Sequence, residues 1–429
     1  MKTIFKKIII SILTFEAKIV LKRFKPKIIA ITGSVGKTSA KDSIYHALKN
    51  ELHIRKNQKS FNSEIGTPLT ILGLQNGWSD PAIWLKNIFL GFGRIFSLKY
   101  PEWLVLEMGI DNPGDMERVT KWIKPDIVVI TSFPTTPVHV EAFETPEAVI
   151  LEKTKLVHAM KEDGFLILNA DDERVMKTAT LSKGTVFTYG IKEKGTVQVD
   201  HYEISMKDGK PEGMAIHIDF GDSSVPLSIK GGLGVQHIYP IITSFAVGVS
   251  LKIPFLNMVN AFSDYVTPPG RMRILEGIKG SILIDDTYNS SPIALEKALE
   301  VFDQIEVSGK KIIMMGDMLE LGRFSSREHK KAGAIIGHMR PDFFVTVGPR
   351  SIESAQEAIN CGMKQENVFQ FKNSVEAGEW ATNIVSKDDL ILVKGSQGIR
   401  MEKVVENILE DKNRASELLV RQDSAWKNM

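Results

Sequence analysis

The feature that most constrains the fold is a short apolar run ending in Gly, Asp, Asn or Ser, which recurs along the 429-residue chain. The runs are too short for buried helices and are separated by stretches of helical periodicity, as expected of strands buried on both faces. Such alternation predicts an α/β fold with parallel sheets, whose ligands bind beyond the carboxyl ends of the strands. The runs are Lys27–Gly33, Trp103–Gly109, Asp126–Ser132, Phe165–Asp172, Ser281–Asn289, Lys311–Asp317, Phe343–Gly348 and Asp389–Ser396.

Two changes of pattern suggest domain boundaries. From about residue 186 to 230 apolar and polar residues alternate, which predicts a small antiparallel subregion of hairpins attached to the first domain. Two prolines and a glycine at Thr267–Gly270 end the preceding helical stretch and mark the main boundary. We therefore expect a leader (residues 1–26), a central parallel-sheet domain (27–267) and a Rossmann-like α/β domain (268–429). The last of these should finish in a charged helix over about residues 401–419.

Composition excludes several classes of protein. The single cysteine, Cys361, excludes an internal disulfide and a cysteine-rich zinc site, and it favours a reducing, cytoplasmic setting. The net charge is +2, but the first 27 residues carry eight Lys or Arg and one Glu, so the remainder is slightly acidic. A nucleic-acid-binding protein usually spreads basic residues over its folded domain, which this distribution does not show.

The basic leader, residues 1–26, has two interpretations. Its apolar run is short and is followed by further Lys and Arg, unlike a signal peptide, and no stretch is long enough for a spanning helix. An amphipathic helix with Phe5, Ile8, Ile9, Ile12 and Ile19 on one side could lie on an anionic membrane, at the inner face through residues 1–25. The alternative, which we favour, is a helix packed on the next domain with its lysines in water.

Residues Ile28–Ser39 read IIAITGSVGKTS: a buried strand, a glycine-bearing turn and the start of a helical stretch. Gly33 and Gly36 let successive backbone N–H groups converge on phosphate oxygens, and the helix start adds its positive end. In such a loop Lys37 reaches the β- and γ-phosphates and the Thr38 hydroxyl holds Mg²⁺. The alternative is a surface turn, but the flanking strand and helix favour nucleotide binding. The residues expected to bind nucleotide are Gly33, Ser34, Val35, Gly36, Lys37, Thr38 and Ser39.

Further candidates follow other predicted strands. Glu107 either caps a loop or faces a metal, and beside a phosphate-binding loop we favour Mg²⁺, which prefers carboxylate oxygens. His139 on spacing alone is interpreted as structural. Arg271, at the predicted domain boundary, suits phosphate recognition. Asp286 either accepts from ribose hydroxyls, binds metal or caps the helix that begins near Ser291.

Taken together, these motifs resemble the Mur ligase family of ATP-dependent amide-forming enzymes. The resemblance extends over nearly everything from residue 27 onward. GDMLELG and DDTYN are specific enough to single out the branch that adds D-alanyl-D-alanine to a UDP-N-acetylmuramoyl-tripeptide. The matching segments are ITGSVGKTS, Ser60–Leu72, Val105–Met116, Asp163–Asp172, Pro268–Met272, Ile284–Pro292, Gly316–Gly322 and Val393–Ser396.

The resemblance implies a set of roles. Glu107 and His139 would help to hold Mg²⁺, and Lys153 falls where the family has a carbamylated lysine that serves as a metal ligand. Arg271 and Asp286 would bind the phosphates and ribose of ATP, and the C-terminal domain would close over the nucleotide. The catalytic residues would be Lys37, His139 and Lys153. The reaction would pass through an acyl phosphate that an amine converts to an amide, as a step in cell-wall precursor synthesis.

Two departures from the family keep alternatives open. Only about thirty residues precede Gly33, where the family usually has a domain for the UDP-muramyl substrate. The apolar stretch Ile83–Phe96 could line a replacement pocket, although its composition favours a core helix. Gly234–Pro240 stands where adenine-binding asparagines are typical, so Gln236 or His237 would replace them. The alternatives are a related ligase for another carboxylate, such as a non-UDP or polyamide precursor, or a non-catalytic nucleotide-binding scaffold at a membrane surface.

Overall fold

The computed structural model describes residues 2–57, 65–77, 80–133, 143, 145–422 and 426, with residues 2–7 and 146 described by their backbone alone. The chain forms two compact units. The first comprises Met1–Tyr202, Ile216–Leu227 and Ile238–Tyr265, and the second comprises Glu203–Ala215, Ser228–His237 and Val266–Met429.

The strands supply the two sheets of the protein. In chain order they are β1 (Lys27–Thr32), β2 (Ile54–Lys56), β3 (Trp103–Glu107), β4 (Ile127–Ile130), β5 (Phe165–Asn169), β6 (Thr185–Gly190), β7 (Val197–Lys207), β8 (Lys210–Phe220), β9 (Ser223–Lys230), β10 (Arg273–Glu276), β11 (Ile282–Asp286), β12 (Lys311–Gly316), β13 (Phe343–Val347), β14 (Val368–Phe371) and β15 (Leu390–Lys394).

The α-helices lie between these strands. In chain order they are α1 (Lys2–Phe24), α2 (Lys37–Leu48), α3 (Gly66–Leu72), α4 (Pro81–Ile95), α5 (Asp115–Thr120), α6 (Pro146–His158), α7 (Glu173–Met176), α8 (Val235–Ser250), α9 (Phe255–Ala261), α10 (Pro292–Gln304), α11 (Ser325–Met339), α12 (Ile352–Asn360), α13 (Ser374–Ile384), α14 (Glu402–Ile408) and α15 (Ala415–Leu418). None of the helices described is both long and apolar enough to cross a bilayer.

The first sheet has the strand order β2-β3-β1-β4-β5-β6-β7-β8-β9 among the described residues. The pairs from β2 through to β7 are parallel, so the carboxyl ends of β1, β3 and β4 meet at one edge. The predicted α/β class is confirmed, and all eight apolar runs form strands. Their central residues are buried because helices cover both faces of such a sheet.

The predicted antiparallel subregion is smaller than its alternation suggests. Strand β6 pairs in parallel with both β5 and β7, so the pattern beginning near residue 186 does not start a hairpin. Within residues 186–230 the hairpins are formed by β7, β8 and β9, which follow one another through two-residue connections. Asp208 and Gly209 in the first turn have φ of 51° and 74°, as a tight hairpin turn requires.

Helix α1 packs on the first unit, as the favoured interpretation of the leader predicts. Ile9, Leu13, Ala17 and Val20 are buried in the same core as residues of β1, β3 and α3. These side chains recur at helical spacing and therefore form one inward face. Of the side chains that the membrane interpretation placed on one side, Ile9 is buried, Ile12 and Ile19 are half-buried, and Ile8 is exposed.

Helix α4 is not the core helix that its composition suggested. Trp84, Asn87 and Gly91 form a buried face, but the opposite face exposes large apolar side chains such as Phe89 and Phe92. Composition reports how apolar a helix is and not which of its faces are covered.

The second sheet has the order β10-β11-β15-β12-β13-β14. Only β10 is antiparallel to its neighbour, and the other pairs are parallel. The charged helix predicted over 401–419 is instead two short helices, α14 and α15. Between them Leu409 forms an isolated bridge with Gly277, which takes the chain out of the helical conformation.

Candidate functional site

The loop between β1 and α2 is fixed by hydrogen bonds to the segment that follows β4. Ser34 N donates to the carbonyl of Ser132 at 2.8 Å, and the Thr131 hydroxyl donates to the carbonyl of Val35 at 2.6 Å. Gly36, with φ 83°, is the residue from which α2 starts. The left-handed conformation at this point favours glycine and leaves the first N–H groups of α2 for an anionic ligand.

Gly33 meets a second requirement, close approach. Its φ is +133°, and a Cβ at this position would lie 2.1 Å from the Thr131 hydroxyl oxygen. Only a residue without a side chain allows the loop to pass this close to β4. The predicted glycine positions are therefore required by the backbone itself.

Lys37 folds back over the loop that precedes it. Its Nζ donates to the carbonyl of Gly33 at 2.9 Å and to that of Ser34 at 3.3 Å. Burial lowers the pKa of Lys37, and the nearby carboxylate of Glu107 opposes that shift. The ammonium group is thus held over the carbonyls of the β1–α2 loop.

Thr38, in the first turn of α2, contacts Glu107, the last residue of β3. The Thr38 hydroxyl donates to Glu107 Oε1 at 3.0 Å, and Lys41 Nζ lies 3.8 Å from Glu107 Oε2. Glu107 is 2% exposed, and its Oε2 accepts no hydrogen bond from the residues the structure describes. A buried carboxylate oxygen without a hydrogen-bond donor, beside a hydroxyl, fits a hard divalent cation.

Lys153, on α6, reaches the same loop from the other side. Its Nζ donates to the Gly33 carbonyl at 2.9 Å and to the Ser34 hydroxyl at 3.0 Å, and the side chain is 2% exposed. Burial, reinforced by the charge of Lys37, lowers the pKa of Lys153 to about 7. A substantial fraction of this amine is therefore uncharged near neutrality, which an ordinary lysine is not.

His139 lies outside the described residues. Within the described parts of the chain, no group of three or more His, Cys, Asp or Glu residues could enclose a metal ion.

Sequence reasoning missed several residues that complete the loop. Lys41 is buried, and its Nζ lies near Glu107. Because Lys41 is one helical turn after Lys37 and Thr38, the sequence could have placed it on the same face of α2. Asn169 Nδ2 donates to the Thr131 carbonyl at 3.1 Å, and Asp172 accepts from the backbone N–H of Phe133 at 2.7 Å. The last two contacts connect the end of β5 and the residues after it with the segment at the end of β4. Spacing within one short stretch of sequence cannot predict contacts between segments about 40 residues apart.

The second unit places its predicted residues around the end of β11. Asp286 pairs with buried Lys394 at 2.6 Å and also accepts from the backbone N–H of Met272 at 3.1 Å. The Arg271 guanidinium stacks over the Tyr288 ring at 4.2 Å. The side chain that caps α10 is Ser291, so the capping alternative for Asp286 is excluded.

Gln236 and His237 differ in their surroundings. His237 is buried, and its Nε2 donates to the carbonyl of Arg271 at 2.7 Å, while burial lowers the pKa of His237 to about 4. The ring is neutral and fixes the backbone of Arg271. Gln236 Nε2 donates to the Leu233 carbonyl at 2.7 Å, and its buried Oε1 has no hydrogen-bond donor among the described residues. Of the two, Gln236 retains an unused polar atom.

Two family profiles match the chain. The Mur ligase middle domain matches residues 31–239, and the domain described as "Mur ligase, glutamate ligase domain" matches residues 270–397. A curated relative, the UDP-N-acetylmuramoyl-tripeptide--D-alanyl-D-alanine ligase of Bacillus subtilis (strain 168), is 26% identical over 394 residues. That alignment covers 92% of this chain and 78% of the relative.

Solved structures share the fold. MurF from Acinetobacter baumannii superposes with a TM-score of 0.76 at 21% identity, covering 94% of this chain and 81% of that one. MurF ligase from Thermotoga maritima in complex with ADP superposes with a TM-score of 0.74 at 23% identity, covering 95% and 84%. The likeness therefore spans both compact units.

Proposed function

Since the chain belongs to the Mur ligase family, we propose that its β1–α2 loop binds ATP for the formation of an amide bond. The observation that carries this proposal is the convergence of Lys37, Lys153, Thr38 and Glu107 on one loop end. Cations and hydroxyl donors at a helix start suit a triphosphate, and no acid-base pair is needed for phosphoryl transfer.

The proposed reaction has two steps. A carboxylate oxygen of the first substrate attacks the γ-phosphorus of ATP, and the bond to the β-phosphate oxygen breaks to release ADP. An amine then attacks the acyl carbon, phosphate leaves with the C–O bonding electrons, and the amine loses a proton. Lys37 and the N–H groups at the start of α2 would hold the phosphate oxygens and offset the charge that develops on them.

Thr38 and Glu107 would hold Mg²⁺ together with nucleotide oxygens. The metal would supply charge neutralisation of the phosphates. The hydrogen bond from the Thr38 hydroxyl to Glu107 holds the two side chains together, and buried Lys41 Nζ lies 3.8 Å from Glu107 Oε2.

We propose that Lys153 is modified by CO₂. Its neutral amine would add to the carbon of CO₂ and lose one proton, which leaves a carbamate carrying one negative charge. The lowered pKa supports this, since only the unprotonated amine has the electron pair that the addition requires. ¹³C NMR after equilibration with ¹³C-bicarbonate would show a protein carbamate signal that is absent from Lys153→Ala.

The second unit would contribute Arg271 to phosphate binding and Asp286 to ribose binding. His237 would position Arg271 through the backbone carbonyl that it holds. We propose domain limits of 27–267 and 268–429, which the profile matches to 31–239 and 270–397 support.

The substrates are proposed from the relatives, whose name specifies a UDP-N-acetylmuramoyl-tripeptide and D-alanyl-D-alanine. Purified protein would be incubated with ATP, Mg²⁺ and both substrates, and phosphate release would be measured. We expect release that depends on both substrates and is lost in Lys37→Ala, while exposed Lys121→Ala remains active. Release only with a different carboxylate would favour a related ligase, and no release with any carboxylate would favour a nucleotide-binding scaffold.

Lys153→Ala separates binding from turnover. We expect this variant to retain ATP binding in calorimetry but to lose phosphate release, with partial rescue by short carboxylic acids. Normal turnover by the variant would contradict the role given to Lys153.

We also propose that the protein is cytoplasmic and contacts anionic membranes peripherally through residues 1–25. The excess of Lys and Arg in this segment supports the contact. Because Ile9, Leu13, Ala17 and Val20 face inward, α1 would provide mainly charge.

A further inference from the structure

The outward face of α4 is an unusual surface for a protein in water. Leu85, Phe89, Phe92 and Phe96 follow one another at helical spacing, and each is more than half exposed. Leu98, just beyond the helix, is 96% exposed. We call these five side chains the α4 surface. Contiguous exposed apolar residues of this size mark an interaction site.

Helix α1 packs directly against α4. The Arg23 guanidinium of α1 donates to the carbonyl of Ile95 at 2.5 Å, and Glu16 of α1 packs against Gly91. Ile8 and Phe15, two turns apart on α1, are 53% and 65% exposed. Two adjacent helices therefore both present apolar side chains to solvent.

Charge identifies the occupant of this surface. Residues 1–27 and 81–99 together contain eleven Lys or Arg and a single acid, Glu16, which is buried. Lys18, Lys22 and Lys86 are exposed beside the apolar side chains. A second copy of the chain would oppose two strongly basic surfaces, which is unfavourable. Apolar side chains surrounded by lysine and arginine suit an anionic lipid bilayer.

We propose that the α4 surface inserts into the interfacial region of anionic membranes, with the lysines of α1 contacting lipid headgroups. This extends the peripheral contact proposed for residues 1–25, because it assigns insertion to α4 and charge to α1. It does not depend on the ligase reaction, whose residues lie on other elements.

Flotation of the full chain with vesicles tests the proposal. We expect the protein to float with phosphatidylcholine vesicles containing phosphatidylglycerol and not with phosphatidylcholine alone. The combined variant Phe89→Ser, Phe92→Ser, Phe96→Ser should reduce binding about tenfold or more, because little apolar area remains to insert. Leu256→Ser, which removes a side chain 63% exposed elsewhere, should bind like the native protein.

Two outcomes would overturn the proposal. One is the absence of flotation by the native protein, in which case a protein partner, and not lipid, would be expected to cover the α4 surface. The other is unchanged flotation of the triple variant, which would mean that α1 binds by charge alone. ATP binding by the triple variant in calorimetry without vesicles should equal that of the native protein, because the β1–α2 loop lies on other elements, so failure of the membrane proposal and failure of the ATP-binding proposal are distinguishable.

A second measurement does not depend on the folding of the triple variant. An environment-sensitive fluorophore on Phe92→Cys, in a Cys361→Ser background, should shift its emission to shorter wavelength with anionic vesicles. The same fluorophore on Leu256→Cys should not shift. No shift at position 92 while the protein floats would show that α4 does not insert.

Discussion

The carboxyl group of Glu16 is buried between α1 and α4, and one of its oxygens accepts no hydrogen bond from the described residues. We expect replacement of Glu16 by Met to stabilise the protein. The side chain is 4% exposed, and Oε2 accepts no hydrogen bond from the described residues. A Cβ on Gly91 would lie 2.1 Å from that oxygen, so α4 closes directly over the carboxyl group. Burial raises the pKa of Glu16 from 4.5 to about 7.

The expected gain follows from proton linkage. Between pH 4.5 and about 7 the folded state holds a proton on Glu16 that the unfolded state has lost, so the free energy of unfolding falls as the pH rises. Each pH unit of this window is worth about 1.4 kcal/mol, which amounts to about 3 kcal/mol above pH 7. Glu16→Met should therefore raise the free energy of unfolding by about 3 kcal/mol at pH 8 and by little at pH 4.5.

Urea unfolding of both proteins at the two pH values measures this difference. Hydrogen exchange of the amides of α1 and α4 provides a local measurement in the same unit. Glu102→Met, at an exposed glutamate of that unit, should change the free energy of unfolding by less than about 0.5 kcal/mol. An equal gain at both pH values, or a loss at pH 8, would refute the reasoning.

Three further predictions concern the nucleotide loop and the second unit. Gly33→Ala should abolish ATP binding in calorimetry, because its Cβ would overlap the Thr131 hydroxyl; native affinity would contradict the loop geometry. Lys394→Met should lower the free energy of unfolding by about 3–5 kcal/mol, since Asp286 would stay buried without its cation; a change near zero in urea titrations would disprove that burial is costly. The pKa of His237 is lowered to about 4, so the unfolded state takes up a proton first as the pH falls from 6.5, and stability should drop by about 3 kcal/mol by pH 4. His237→Gln should remove that component of the pH dependence, and an unchanged profile would exclude it.

The strands and the nucleotide loop could be predicted because local sequence determines them. Strands buried on both faces must be apolar throughout, and the turn after β1 needs glycine at positions 33 and 36. The contacts of Thr131, Asn169 and Asp172 could not be predicted, since they join residues far apart in the chain.

Features set by tertiary packing were predicted less well. The outward face of α4 has the composition of a core helix, and only the position of α3 and α1 determines which side is covered. The break between α14 and α15 arises from the bridge between Leu409 and Gly277. Residues 409–414, which separate α14 from α15, contain neither a proline nor a glycine that would have indicated this break.

The two lysines that share the Gly33 carbonyl have a consequence for the energetics of ligand recognition. Before any reaction with CO₂, the amine of Lys153 is near half-protonation at neutral pH and lies beside Lys37, so a triphosphate that binds the unmodified protein would draw a proton from the buffer onto Lys153. The apparent heat of association would then vary with the ionisation enthalpy of the buffer, and affinity would weaken as alkalinity increases.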